Sequence, residues 1–326
     1  MIRMPWTVLR DKGILGMNQR NAQFISKFNE RKFYPIVDDK RTTKREAIKA
    51  GIPVPELYGT IETEHDIPNL EKIVAQHEDF VIKPANGSGG NGIVVITGRG
   101  HNGFYRKSND TLVSPGELHH HISNILSGMH SLGGSADACI IEYRVKFDPV
   151  FEPISFRGVP DIRTIVFRGF PVMAMIRLPT RESDGRANLH QGAVGAGIDL
   201  ESGITRRGVW KNLIIDHHPD TGVAIKGHSI PHWDKILLLA SRCYEIAKLG
   251  YMGVDIVLDR DFGPMMLEIN ARPGLNIQMS NREGLAPILE QIGNSGPIPD
   301  SAEERVSMAL EFVRKRKIAE AAARRS

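Results

Sequence analysis

Apolar residues recur at every second position in some stretches of this 326-residue chain and at every third or fourth in others, and the two periods divide it into strands and helices. The first 35 residues read as one or two basic helical pieces. Helical spacing from Thr42 to Ala50 stops at Gly51, and Pro53 and Pro55 then force an extended exit. DFVIKPANGSGGNGIVVITG reads as strand, glycine loop and strand; after a polar region over 98–113, a helix is expected from Ser114 to Gly128. DACIIEYRV is a further apolar strand, residues 161–178 form a hairpin turning at Arg168-Gly169, and GRANLHQGAVGAGIDL is a glycine-rich loop. A helix over 231–249, a hairpin over 252–270 and a C-terminal helix from about residue 301 complete the pattern. Several neighbouring strands are joined as hairpins, so the sheets should be largely antiparallel, an α+β arrangement and not a doubly wound parallel one.

Composition narrows the class. With 41% hydrophobic and 25% charged residues, the chain is ordinary globular material. No apolar run reaches the roughly 18 residues that cross a bilayer. Charges interrupt MIRMPWTVLRDKGILG where a secretory leader would stay apolar, so a cytoplasmic address is the expectation. Cys139 and Cys243 sit in apolar surroundings without a Cys-x-x-Cys partner, which favours core packing over a disulfide or a zinc site. The net charge of +4 is uneven: residues 1–50 hold 12 Lys/Arg against 5 Asp/Glu, and residues 303–326 hold 7 against 4. Such ends suit an anionic or protein partner, or are simply solvated helix faces. There is no nucleic-acid motif, and a homo-oligomer is compatible with the sequence.

Chemistry concentrates in two stretches. In MMLEINARPG, strand alternation puts Glu268 and Asn270 on one face, with Leu267 and Ile269 on the other. If Asp259 pairs with Pro264 across the turn Arg260-Asp261-Phe262-Gly263, Asp255 falls opposite Glu268. Facing carboxylates repel unless a cation intervenes, and hard oxygen donors without His or Cys point to magnesium beside nucleotide phosphates; the other reading is the polar face of an amphipathic hairpin. In VIKPANGSGGNG, Lys83 interrupts an apolar strand, where its ammonium needs an anion. The backbone N–H groups around Gly87, Ser88, Gly89, Gly90 and Gly92 can approach phosphate oxygens. A mobile turn is the alternative, and the loop is not a Walker A motif because no Lys-Ser/Thr follows the glycines. Lys40 is a further cation, indistinguishable by itself from a surface lysine. The runs His119-His120-His121 and His217-His218 lack a carboxylate or cysteine at ligand spacing and read as surface residues, and His190 as a residue held within its own loop.

In order, Lys40, Lys83 with its glycine loop, IIEYRV, DIRTIVF, GRANLHQGA, GVDIVL and LEINARPG resemble the ATP-grasp superfamily. Within it, the chain looks most like the ribosomal-protein glutamate ligases and the alpha-L-glutamate ligase-like proteins, over roughly residues 36–290. The resemblance implies two α+β subdomains gripping ATP, over 36–145 and 146–300, between basic helical segments at 1–35 and 301–326. It implies that Lys40, Lys83 and the Gly87–Gly92 flap contact phosphates, that Glu142, Tyr143, Arg144 and Val145 form an adenine hinge, and that Asp161 approaches the ribose. It further implies that Arg186 and Asn188 lie at the reacting end, and that Asp255, Glu268 and Asn270 bind magnesium, with manganese as a substitute. Arg177, Arg186 and Arg272 are the candidates for holding an acyl phosphate. The implied activity is an ATP-dependent carboxylate–amine ligase joining a carboxylate substrate to an amine acceptor, for instance adding glutamate to a peptide or small molecule. The alternatives are a kinase on the same scaffold and a nucleotide-binding assembly module without turnover. Two departures stand out: only 39 residues precede Lys40, where those ligases carry a fuller α/β domain, and segment 98–135 is long enough to be a lid or a docking surface.

Overall fold

The computed structural model describes residues 5–87, 89–131 and 133–323. Two antiparallel sheets organise it. The smaller contains β1 (Leu57–Ile61), β2 (Phe80–Pro84), β3 (Val94–Arg99), β4 (Tyr105–Lys107), β5 (Leu112–Val113) and β6 (Cys139–Glu142), in the order β1-β6-β2-β3-β4-β5. The larger contains β7 (Asp161–Phe167), β8 (Phe170–Leu178), β9 (Val194–Ile198), β10 (Thr205–Trp210), β11 (Leu213–Ile215), β12 (Tyr251–Asp259) and β13 (Gly263–Asn270), in the order β11-β10-β9-β8-β7-β12-β13. This is the expected α+β, ATP-grasp-like pair of sheets. The β7–β8 turn falls at Arg168 and Gly169, both in the left-handed region, as a two-residue hairpin connection requires. All nine residues of β12 are buried because the large sheet is covered on both faces, so its sequence shows no clean alternation.

The hairpin β12–β13 reaches the expected face by an unexpected route. Asp259 pairs with Gly263 and Leu258 with Pro264, one residue out of the anticipated register. A bulge then places Ile256 opposite Met266 but Asp255 opposite Glu268, leaving Leu267 as the extra residue. The bulge restores the Asp255–Glu268 pairing and turns Leu267 away from Ile269's side: Leu267 packs with Val145, Val257 and Met265, while Ile269 and Met266 join the main core.

The expected division of the chain needs correcting. Residues 37–52, assigned from the sequence to the first subdomain, supply Val37, Ala47 and Ile52 to the main core of the large sheet. The helix Trp233–Ala247 packs into that same core through Ile236, Leu237, Ala240, Cys243 and Ala247. The N-terminal segment packs beneath the opposite face of the sheet, where Leu15, Phe24 and Ile25 meet Phe167, Phe170 and Tyr251. Its polar groups are matched as well: Leu15 N donates to Gln278 Oε1 at 2.8 Å, and the Asn29 side chain receives from Tyr251 N and donates to Tyr251 O, both at 2.8 Å. The helix Ala302–Ala323 buries Ala309 and Val313, and several of its basic residues pair with the body of the protein: Arg305 with Glu245, Arg314 and Lys317 with Glu201, and Lys317 with Asp199, while Lys315 pairs along the helix with Glu311. Both ends therefore pack on the large-sheet unit. Segment 98–135 is likewise no separate lid. It adds β4, β5 and the helix Pro115–Leu126, opened by a Ser114–Glu117 capping box, to the small sheet. Cys139 and Cys243 are free and buried, as core packing predicts. Among the described residues, no helix is long and apolar enough to cross a membrane.

Candidate functional site

One face of the large sheet carries three zones. At one end Ile165, Phe167, Met173, Met175 and Tyr251 meet the N-terminal segment, and at the other Val257, Met265 and Leu267 form a small apolar patch with Val145 and Val159. Between them lies a charged strip. Cross-strand pairing brings Arg177 beside Asp161 and Arg163 beside Asp255, and the next strand adds Glu268. Arg163 donates to both oxygens of Asp255 (2.6 and 2.5 Å), Arg177 adds a third bond at 2.9 Å, and Asn270 Nδ2 a fourth at 3.3 Å. Three of these bonds end on Oδ2 and one on Oδ1, so with about two lone-pair positions per oxygen Oδ2 is saturated and Oδ1 is held by Arg163. Burial opposes its ionisation, but Arg163 and Arg177 outweigh that and hold its carboxyl well below the usual range. Burial pushes Asp161 the other way, against the pull of its bidentate partner Arg177.

These contacts change several expected roles. Asp161 is committed to Arg177 and is not an open acceptor for a ribose, and the Arg177 guanidinium is buried in the same network. Arg272 lies beyond the end of β13, where alternation no longer applies; it is exposed, with its guanidinium 5.4 Å from the Tyr34 ring centroid. Arg163, which sequence reasoning passed over, is the principal partner of Asp255. Glu268 is half-buried and makes no hydrogen bond or ion pair to any described residue. The described residues hold no group of three or more His, Cys, Asp or Glu suited to a metal. Glu268 and Asn270 thus form the available part of the expected ligand set. They fit a hard cation that keeps several waters, with Asp255 paired alongside.

The small sheet supplies the cations. Lys83 and Lys44 both grip Glu142, at 2.5 and 2.8 Å, in a buried trio. Burial works against the Glu142 carboxylate, and the two lysines outweigh it. Lys44 lies one helical turn after Lys40, a spacing that signals a shared face and was legible but unused. Glu142 is therefore a side-chain anchor, while the segment after it crosses to the large sheet. Tyr143 OH donates to Asp259 Oδ2 at 3.1 Å, Lys146 N to the same oxygen at 2.9 Å, Arg144 pairs with Asp79 at 2.7 Å, and Val145 enters the apolar patch. This segment joins the two sheets, and Val145 and Tyr143 both pack in the apolar patch.

The glycine loop leaves β2 beside these lysines. Asp137 holds its start by accepting from Asn86 N and Nδ2, and Lys40 Nζ donates to the carbonyls of Ala85 and Gly87. Desolvation lowers the Lys40 pKa while Glu268 across the cleft works the other way, so this lysine stands electrostatically between the loop and the acidic strip. Gly89, Gly90 and Gly92 have φ of +68°, +81° and +77°; Ser88 lies outside the described residues. A Cβ on Gly92 would stand 2.6 Å from the His130 ring, and His121 Nε2 is 2.9 Å from Gly92 O. His121 is thus a half-buried support of the loop, and His218 is buried with Nε2 3.0 Å from Pro179 O; neither is the surface residue expected. His190 stays in its own loop, as its backbone N–H donates to Asn188 Oδ1. Asn188 Nδ2 donates to Gly89 O at 3.1 Å, and a Cβ on Gly90 would lie 3.7 Å from Arg186 Cδ. Arg186 and Asn188 therefore meet the loop tip.

A family model described as sugar-transfer associated ATP-grasp matches residues 19–294. No curated protein matches the chain. Among solved structures, D-alanine–D-alanine ligase from Bacillus anthracis is 16% identical over 95% of this chain and 78% of its own, with a TM-score of 0.46. The ATP-grasp ligase PsnB, complexed with a minimal precursor, is 16% identical with a TM-score of 0.44, covering 81% of this chain; the chain spans 62% of PsnB's length. An L-amino acid ligase from Bacillus licheniformis is 13% identical with a TM-score of 0.43, over 77% of this chain and 44% of its own.

Proposed function

The chain belongs to the sugar-transfer associated ATP-grasp family, and from that premise we propose that it is an ATP- and magnesium-dependent carboxylate–amine ligase. The observation that carries the reading is the convergence of Lys40, Lys83 and Glu268, from a helix start and two different sheets, beside a glycine loop. The apolar patch of Val145, Val257, Met265 and Leu267, on the same sheet face as Glu268, would take the adenine. Lys40 and Lys83 would meet the phosphates, with the loop closing over them. Glu268 and Asn270, beside Asp255, would hold the magnesium ion, which supplies charge neutralisation at the phosphate oxygens.

In the proposed reaction a carboxylate oxygen attacks the γ-phosphorus. The bond from that phosphorus to the β–γ bridging oxygen breaks, giving an acyl phosphate and ADP. An amine then adds to the acyl carbon, inorganic phosphate leaves with the electron pair of the C–O bond, and the amine's proton passes to solvent. No enzyme nucleophile is needed, and the work of this chain's residues is to position and to stabilise charge. The lysines hold the phosphates, and Arg186, at the loop tip, takes the acyl-phosphate role first shared among three arginines. Addition of glutamate or another amino acid is one form of this reaction. The family's association with sugar transfer favours a reactant borne on a sugar.

The test is ADP release by the purified protein with paired acids and amines, followed by the mass of the product. ADP and phosphate that appear only when both reactants are present, with an amide product, support the ligase. AMP formation overturns the acyl-phosphate route, and a product about 80 mass units heavier than its hydroxyl-bearing substrate would make the protein a kinase of this class.

A further inference from the structure

Beyond the nucleotide residues, two loops are locked together at the tip of the glycine loop. Phe156 N donates to Pro179 O at 3.0 Å, and a Cβ on Gly158 would fall 1.8 Å from Gly185 O, a contact only glycine permits. The second loop is braced from within. Thr180 and Ser183 are both buried and exchange hydroxyl–backbone hydrogen bonds at 2.9 and 3.1 Å, and Thr180 Oγ1 donates to Gly192 O at 2.8 Å. Between those two residues stands Arg181, its guanidinium 5.2 Å from the Phe156 ring centroid; Arg157 lies over the same ring at 5.6 Å. Arg186 follows Gly185 directly and reaches toward Gly90.

The three guanidinium groups are exposed, and Arg157 and Arg186 have no carboxylate at ion-pair distance among the described residues. Asp220 accepts from Arg181 N at 2.7 Å and lies 3.8 Å from its side chain, so that guanidinium is only loosely matched. Arg157 holds a left-handed backbone at φ +53°, a conformation that a non-glycine residue keeps only when its surroundings impose it. Cations stacked on an aromatic ring in a fixed loop are pre-organised for forked hydrogen bonds to a carboxylate or phosphate.

We propose that Phe156, Arg157 and Arg181 form a platform, beside Arg186, for a second anionic group on the acid reactant. The substrate class is then an acid carrying a further phosphate or carboxylate, not a simple monocarboxylate. The proposal rests on the ligase reading, which supplies the first carboxylate at the loop tip.

The test is calorimetric titration of the full chain, saturated with AMPPNP and magnesium, with three acids derived from glucose: glucuronate, glucarate and glucuronic acid 1-phosphate. Either ligand with a second anionic group should bind about tenfold tighter than glucuronate, and the better of the two tells whether that group is carboxylate or phosphate. Arg157→Gly, which relieves the left-handed backbone and so keeps the fold, should shrink that gap about fivefold, as should Arg181→Gln, with AMPPNP affinity unchanged. Equal binding of glucuronate and the two ligands with a second anionic group, or a gap that survives in the double variant, overturns the platform. Failure of the wild type to bind AMPPNP would overturn the ligase reading instead, so the two failures are told apart.

Discussion

Lys40 and Lys83 serve the same proposed phosphates but are anchored differently. Lys83 shares a buried carboxylate with Lys44, whereas among the described residues Lys40 Nζ bonds only to loop carbonyls. Lys83→Met should therefore lower stability by about 1–3 kcal/mol as well as AMPPNP affinity, because Glu142 loses half of its counter-charge. Lys40→Met should lower affinity with the melting temperature within about 2 °C of wild type. Scanning calorimetry and nucleotide titration read both effects, and equal melting shifts would contradict the assignment. Lys40 also carries a pH signature. Burial lowers its pKa, so nucleotide affinity should fall as pH rises at values below the ordinary lysine range, because the neutral amine no longer meets the phosphates. Affinity measured between about pH 7 and 10 should show this decline in the wild type and lose it in Lys40→Arg. Lys83, Glu268 and Asn270 were legible because a polar residue in an apolar strand is conspicuous. Arg163 was not, since it looks like an ordinary surface cation until the fold supplies its carboxylate, and Lys44 was marked only by its helical spacing from Lys40.

The β12–β13 hairpin and the glycine loop show what local signals can and cannot carry. Turn residues announced the hairpin and the loop, yet the Leu267 bulge left no mark, because an inserted strand residue is fixed by what each face packs against. The anticipated Asp255–Glu268 pairing was reached from the wrong register at the turn. That pair should separate on mutation. Glu268→Gln should abolish ADP release while changing urea stability by less than about 1 kcal/mol, since the carboxylate has no partner to lose. Asp255→Asn should cost about 3–5 kcal/mol, because it strands Arg163 and leaves Arg177 with Asp161 alone; a stable Asp255→Asn protein would show that the strip is not the sheet's electrostatic tie. In the loop, Gly92→Ala adds a methyl against the His130 ring at a φ that disfavours it. It should lower kcat/KM about tenfold at a stability cost of about 1–2 kcal/mol, and an unchanged kcat/KM would mean that the loop does not close on the nucleotide.

For the whole molecule, the antiparallel two-sheet plan was readable from hairpin spacing, and the boundaries were not. Residues 37–52 precede the small sheet in sequence but fill the large sheet's core, since Val37, Ala47 and Ile52 pack where the chain's route, not its order, takes them. The same holds for the C-terminal helix, whose basic composition suggested an outward role. Ending the chain at residue 301 removes Val313, Ala309 and buried Arg305, which holds Ser241, Glu245 and the carbonyls of Pro299 and Asp300. The truncated protein should lose cooperative thermal unfolding by circular dichroism, and retention of a sharp transition would show that the helix is an appendage. The N-terminal segment has a consequence in time. Leu15 bonds to Gln278, 263 residues away, and Asn29 to Tyr251. A ribosome adds about 5–20 residues per second, so Leu15 and its apolar neighbours wait on the order of 10–50 s for the partners that follow them. This segment is among the last parts able to fold, and during that wait it is the surface on which a chaperone, or a misfolded neighbour, would find a hold.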